Sequence, residues 1–249
     1  MKDNRPISVI IPAINEEASI GKVIADIPQW VDEIIVVDNG STDKTVAVAQ
    51  AHGARVIYEA ERGYGAACLA GIAARDHHDI VVFLDGDYSD YPEEMPVLVD
   101  PIIAGEADLV IGSRVAGRAE KGALTPQAIF GNWLSCKLMR LFWGVRYTDL
   151  GPFRAIHEEA LTSLGMRDRN YGWTVEMQIK AAQRGLRERE IPVRYRKRIG
   201  QSKISGTIRG VVGAGTKILA TIFLSAIDWH LRNKRPLKSK LRSEEIIKR

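Results

Sequence analysis

Cysteine is scarce: Cys68 and Cys136 are the only two. Each lies in a helical, partly apolar stretch, so they read as buried free thiols rather than a disulfide framework, which points to a reducing cytoplasm. The opening Met-Lys-Asp-Asn-Arg-Pro lacks the apolar core of a secretory leader. No internal repeat or low-complexity stretch is present, which excludes solenoids and linker arrays. Residues 211–227 form the longest apolar run, but Lys217 interrupts it, and it falls short of the roughly 20 residues a bilayer span needs. Missing too is G-x-G-x-x-G directly after the first apolar run. Pro12-Ala13-Ile14-Asn15-Glu16-Glu17 stands there instead and puts two acids where a pyrophosphate would approach, against a dinucleotide-binding oxidoreductase. The partial match Gly63-Tyr64-Gly65 comes later and lacks the third glycine. No nucleic-acid motif appears, and the basic C-terminus carries no stacking aromatics, so no nucleic-acid partner is expected.

What is present is rhythm. The chain has 249 residues, 45% of them apolar, which suits one large α/β domain with an appendage. Apolar, largely β-branched runs occur at Ile7–Ile11, Ile34–Val37, Val56–Tyr58, Ile80–Leu84 and Leu109–Ile111. Helical patterns lie between them. The first is capped near Asn15 and runs through Ile27, with Glu16 and Glu17 in its first turn; another runs from Ser41 or Thr42 through His52, and a third covers 65–75. Continuous apolar strands alternating with helices predict a mainly parallel, Rossmann-like sheet flanked by helices. The rhythm breaks at 115–147, where a charged, glycine-bearing segment precedes a helical pattern from Ile129 to Trp143. That pattern reads as a core-packing helix or, more sharply, as an acceptor-side helix meeting lipid, with 116–123 as a mobile loop that closes on the donor.

The most informative stretch is Val81-Val-Phe-Leu-Asp85-Gly86-Asp87-Tyr-Ser-Asp90. A buried strand ending in paired acids fits a metal site at the carboxyl edge of a sheet, where open α/β folds bind ligands. Carboxylate oxygens suit Mg²⁺ or Mn²⁺, which keep positions open for phosphate oxygens. The alternative is a polar turn capping the next helix.

Four motifs in register carry a resemblance: Pro12-x-x-Asn15-Glu16, Val36-Val37-Asp38-Asn39-Gly40-Ser41-Thr42-Asp43, Asp85-Gly86-Asp87 and Gly112-Ser113-Arg114. Together they resemble inverting glycosyltransferase family 2, within it most the dolichyl- or polyprenyl-phosphate hexose synthases, over roughly residues 6–210. The resemblance implies an α/β fold of the glycosyltransferase-A type and a nucleotide-sugar-binding catalytic domain at 1–210. An apolar or amphipathic helix at 211–231 and a basic tail at 232–249 follow. It further implies metal-dependent transfer of a hexose from a nucleoside diphosphate sugar to a polyprenyl phosphate with inversion. Asp85 and Asp87 would hold Mg²⁺ or Mn²⁺, which neutralises the departing diphosphate. Pro12, Asn15, Glu16, Asp38, Arg62, Gly63 and Gly86 would line the donor site. Arg114 and Lys203 would contact phosphate, and Arg154 and Arg198 the acceptor.

Arg198-Ile-Gly-Gln-Ser-Lys203 resembles the family's R-x-x-G-x-S-K loop, although strict spacing puts Lys197, not Arg198, at the arginine position. Glu176 is a candidate general base if the acceptor is a hydroxyl; a lipid phosphate is already anionic and needs none. Departures are plain: Asn39 replaces a second acid, Ser89 stands where mannosyl synthases often carry Gln, and Ile14 replaces an aromatic. These bear on sugar and base specificity and leave the transfer chemistry intact. A soluble or lipid hydroxyl acceptor, or a non-catalytic nucleotide-sugar-binding module, are the competing functions.

Net charge is +4, unevenly spread: residues 232–249 hold eight Lys or Arg against Glu244 and Glu245. An apolar helix followed by a basic tail suits peripheral membrane contact through 211–249, at the inner face of the membrane. Packing on the domain or on a second subunit, giving a homo-oligomer, is the alternative. Relatives often carry transmembrane helices beyond this point; the chain stops, so the expected contact is peripheral.

Overall fold

The structure, a computed structural model, describes residues 2–76, 79–200 and 208–233. Seven strands form one sheet: β1 (Ile7–Ala13), β2 (Glu33–Asp38), β3 (Arg55–Tyr58), β4 (Ile80–Phe83), β5 (Leu109–Ala119), β6 (Arg154–His157) and β7 (Glu188–Tyr195). Their order is β3-β2-β1-β4-β6-β5-β7. Every pairing is parallel except those of β6, which runs antiparallel to β4 and β5. The eight α-helices among the described residues are α1 (Ile20–Asp26), α2 (Thr45–Ala51), α3 (Tyr64–Ala74), α4 (Met95–Ile103), α5 (Pro126–Trp143), α6 (Glu158–Leu164), α7 (Trp173–Arg184) and α8 (Ile208–Asn233).

The continuous apolar runs have a simple cause. Ile7, Val9 and Ile11 of β1 pack with α1, α2 and α4 on one face of the sheet, while Ile10 packs with α3 and α7 on the other. In β4 the same split puts Ile80 and Val82 on the first face, Val81 and Phe83 on the second. Both faces are covered, so these positions are apolar almost throughout; the exception in β1, buried Ser8, donates its hydroxyl to Glu33 at 3.2 Å. Each such apolar side chain stabilises the fold by about 1.5–3 kcal/mol. A third cluster joins Cys136 and Met139 of α5, Val175 and Ile179 of α7 and Ile222 of α8. Both cysteines are free and buried, as expected.

The structure departs from the sequence reading in several places. Strands β6 and β7 lie outside the five expected. Strand β7 is an edge strand whose exposed positions are Arg189, Pro192 and Arg194, so it carries no continuous apolar run. The first helix starts at Ile20, not near Asn15. Asn15 instead adopts φ 52° and its Oδ1 accepts from Thr42 N–H at 2.7 Å, so its polar side chain clips two turns together. Residues 118–119 are not loop: beyond a bulge they continue β5 and pair with Arg194 and Tyr195. Gly117 permits this, because a β-carbon there would meet the Val193 carbonyl oxygen at 1.9 Å.

The glycines at 63 and 65 also have a packing reason. The main chain of Asp168 and Arg169 crosses the start of α3, where Ala66 N–H donates to Arg169 O at 2.8 Å. A β-carbon at Gly65 would lie 2.0 Å from the Asp168 carbonyl oxygen, and one at Gly63 2.1 Å from that of Arg169. Gly65→Ala should therefore cost about 1–3 kcal/mol as backbone is forced aside. At roughly 2–4 °C per kcal/mol, thermal unfolding followed by circular dichroism would show the drop; an unchanged melting temperature would refute the close-packing account.

Candidate active site

The sheet places a crevice by topology. From β1 the chain builds outward to β2 and β3, then returns to lay β4 on the other side of β1. Loops leaving β1 and β4 thus part company at their carboxyl ends, the position where open α/β sheets bind ligands. A cleft of about 330 Å³ opens there, lined by Pro12, Glu16, Asn39, Arg62, Gly63, Tyr64, Asp85, Gly86, Asp87 and Arg198 among others. Two non-glycine residues with left-handed backbone, Asn15 (φ 52°) and Tyr88 (φ 64°), sit in the turns after β1 and β4. Such conformations persist only where surrounding contacts impose them. For Tyr88 those contacts are an O–H donated to Asp26 at 2.6 Å and the Arg196 guanidinium stacked 3.3 Å from the ring centre.

The acid turn is built in layers. Asp87 is 3% exposed. One of its oxygens accepts from the Ser89 N–H at 2.9 Å and from the Ser89 hydroxyl; the other pairs with Arg198. Ser89 thus acts as a cap for the acid. The segment carrying Arg198 is stitched to the same turn, with Arg196 N–H donating to Ser89 O at 2.9 Å and Ile199 N–H to Asp87 O at 3.0 Å. Asp85 accepts from the Tyr64 hydroxyl at 3.1 Å, and burial raises its pKa against the pull of nearby Arg198.

The other donor-side residues divide between the cleft wall and its scaffold. Asp38 closes the turn after β2 by accepting from Gly40 and Ser41 N–H groups at 3.2 and 3.0 Å. Asn39 donates to the carbonyls of Glu59 and Glu61 at 3.0 and 2.7 Å and accepts from Gly63 N–H at 2.8 Å. A carboxylate could not donate to those carbonyls, which accounts for amide at this position. Asn39 thereby sets the turn that carries Arg62 into the cleft. Glu16 N–H donates to Thr45 Oγ1 at 2.7 Å, joining the two turns.

A second, larger groove of about 780 Å³ adjoins the cleft, with α5 and α8 among its walls. Tyr64, Asp85, Tyr171 and Arg198 line both cavities. Arg114 faces the groove, held bidentately by fully buried Asp149 at 2.8 and 2.7 Å. Burial opposes its charge; Asp149 more than restores it.

Two acceptor-side expectations meet a different arrangement. Arg154 is fully buried, and its guanidinium donates to the carbonyls of Leu150, Gly151 and Thr174 at 3.0–3.1 Å. Burial pushes its pKa down to about 10. It lines neither cavity, so the side chain braces the 150–151 turn against α7 instead of reaching a phosphate. Glu176, 8% exposed, also lines neither cavity. It accepts from Arg167 and Asp168 N–H groups at 3.1 and 2.7 Å and pairs with Lys180 at 2.7 Å, which leaves it a clasp for that loop. Lys203 and the tail from 234 lie outside the described residues.

Residue Asp90 escaped the sequence reading. It is 1% exposed, neither carboxylate oxygen has a hydrogen-bond partner among the described residues, and burial followed by the charge of Asp85 lifts its pKa to about 8. Nothing in the sequence separates it from an ordinary turn aspartate.

With the geometry in hand, comparison with known proteins is direct. Residues 8–165 match glycosyl transferase family 2. The chain belongs to that family. It is 38% identical over 209 residues to an uncharacterized glycosyltransferase of Mycobacterium tuberculosis, covering 83% of this chain and 93% of the relative. It is 35% identical over 202 residues to the dolichyl-phosphate hexose transferase of Haloferax volcanii, covering 80% and 86%. The glucosyl-3-phosphoglycerate synthase of M. tuberculosis, crystallised with Mn²⁺, UDP-glucose and phosphoglyceric acid, superposes with a TM-score of 0.73 at 30% identity, covering 90% and 81%. The fold is of the glycosyltransferase-A type and the chain is a hexosyltransferase of the family.

The residues fit a divalent ion in part. Asp85 and Asp87 offer hard oxygen donors on one turn, yet among the described residues no group of three or more His, Cys, Asp or Glu is arranged to hold an ion alone. Donor phosphate oxygens would have to complete the shell. Arg198 meanwhile occupies one Asp87 oxygen. An ion using that oxygen must displace the guanidinium. Arg198→Gln should therefore tighten Mn²⁺ binding to donor-free protein several-fold in an electron paramagnetic resonance titration; equal or weaker binding would show that the two cations do not compete.

Asp90 makes a pH prediction. Its folded pKa lies above the ordinary carboxylate value, so between about pH 4 and 8 the folded state holds a proton that the unfolded state has lost, and stability falls as pH rises. The slope from one such group approaches about 1.4 kcal/mol per pH unit. Glu188, also raised to about 8 by burial, adds to it. Asp90→Asn should flatten the urea-unfolding profile across that window; an unaltered profile would mean that Asp90 is ionised in the fold.

Proposed function

We propose that this chain transfers a hexose from a nucleoside diphosphate sugar to a polyprenyl phosphate, with Mg²⁺ or Mn²⁺ and with inversion at the sugar. One observation carries the acceptor half: the cleft at the acid turn and the larger groove between α5 and α8 share a wall at Asp85 and Arg198. A long apolar chain seated in the groove can bring its phosphate beside Arg114 and Arg198, next to a donor in the cleft. The likeness to a dolichyl-phosphate hexose transferase supports the same acceptor class. The Mn²⁺ and UDP-glucose of the similar glucosyl-3-phosphoglycerate synthase structure support a metal and a nucleotide sugar.

When bound between Asp85, Asp87 and the donor diphosphate, the ion would act as a Lewis acid on the leaving group. Arg198, beside Asp87 on the cleft wall, would donate to a diphosphate oxygen. Lys203 is placed near the diphosphate by motif alone. The acceptor phosphate oxygen is anionic at neutral pH and attacks the anomeric carbon, while the carbon–oxygen bond to the diphosphate breaks with its electron pair. One such displacement inverts configuration. No general base is needed, which agrees with Glu176 being spent on the 167–168 backbone. A cytoplasmic protein at the inner membrane face, in peripheral contact through 211–249, goes with this reading.

A soluble phosphorylated acceptor is the second reading, favoured by the structural likeness to a synthase crystallised with phosphoglyceric acid. The test offers labelled UDP- or GDP-hexose with undecaprenyl phosphate or 3-phosphoglycerate in parallel. Transfer to the lipid, loss with EDTA, rescue by Mn²⁺ and a fall of about 10²–10³-fold in Asp87→Ala are the expected results. NMR of the product should show the anomer opposite to the donor's. Transfer to 3-phosphoglycerate alone would overturn the lipid reading, and nucleotide-sugar binding without turnover would make the chain a binding module.

A further inference from the structure

Exposed apolar surface on this molecule is concentrated. Of twelve large apolar side chains left exposed among the described residues, four lie on α5 and five on α8. The two helices pack against each other, with Phe142 and Phe223 edge to face at 5.7 Å. Among the described residues, the large apolar side chains on their outer sides stay exposed. On α5, Phe130, Trp133, Lys137, Arg140 and Leu141 recur at helical spacing on one face, and all are exposed. Aromatic, aliphatic and basic residues thus alternate along one outward stripe, the composition of a helix lying in a lipid headgroup layer. On α8, Val212, Phe223, Leu224, Ile227 and Leu231 are exposed, while Ile222 and Ala226 are buried.

We propose that α5 and α8 together form a docking face for an anionic bilayer, and that the groove between them opens toward that surface. The groove's role rests on the lipid-acceptor reading; the docking itself does not. Twenty residues of helix would match a bilayer core in length. Yet α8 is bound along its side: Ile222 and Ala226 are buried against the domain, and Lys217 pairs with Asp168 at 2.9 Å. A helix fixed flat in this way lies along the interface. Charge selects the occupant. The residues from 232 onward carry eight Lys or Arg against two Glu, and Lys137 and Arg140 add to them. A second copy on this face would bring two such basic tails to one junction and cap the groove; an anionic surface neutralises the tails.

The test uses the full chain with vesicles of phosphatidylcholine alone or with about one-third phosphatidylglycerol, none containing polyprenyl phosphate. Flotation should require the anionic lipid and weaken in high salt, with a blue shift of tryptophan emission. Trp133→Ser combined with Leu224→Ser, neither of which lines a cavity, should reduce vesicle binding about tenfold or more. Donor binding and the monomer mass should stay unchanged. Failure to float, flotation indifferent to the double variant, a dimer dissolved by it, or resistance to alkaline extraction would each overturn the proposal, the last two in favour of a second copy or a spanning helix. Docking that succeeds while lipid transfer fails would sink the acceptor reading alone.

Discussion

A buried carboxylate that stays ionised needs compensating charge or donors, and the organisation of this molecule turns on how Asp87 finds both. It stands at the end of the central strand with Ser89 on one oxygen and Arg198 on the other. Leaving such a charge without a partner costs several kcal/mol. Arg198 supplies the partner from more than a hundred residues away, and two main-chain hydrogen bonds bind its segment to the acid turn. The site is therefore closed over itself by an internal ion pair.

The arrangement around it separates holding from reacting. Asp149 fixes Arg114, Asn39 fixes the Arg62–Gly63 turn, Arg154 braces three carbonyls and Glu176 clasps two amides. Each spends its polar atoms on protein. The residues shared by cleft and groove, Asp85, Tyr64, Tyr171 and Arg198, lie where donor and acceptor would meet. The 168–172 loop ties the two halves: its carbonyls press on the glycines at the start of α3, while Asp168 holds Lys217 of α8. The glycine turn at the donor wall and α8 are thus neighbours through one short loop.

Much of this was legible in the linear chain. Strands buried on both faces are apolar almost throughout, so β1, β2, β4 and the start of β5 announce themselves, and the polar turns that follow them mark the rim. Strands β6 and β7 were not legible. Short or charged on one side, they owe their place to neighbours, because a single apolar pair suffices where the rest of the surface already exists. The helix starts near Asn15 and Ser41 were misplaced for a related reason: these side chains bond across to each other's turn, and local capping rules see only their own.

What the sequence determined by itself is the class of chemistry: paired aspartates after an apolar run, in register with three other turns, in a doubly covered sheet. Periodicity and motif spacing are local, and they survive in the linear chain. What only the tertiary structure decided is which polar groups are spent. In one dimension Arg154 and Glu176 look like ordinary site residues and Asp90 like an ordinary turn aspartate. Their hydrogen-bond capacity is used up or left orphaned by segments distant in sequence, and satisfaction of a buried polar group is a property of its surroundings.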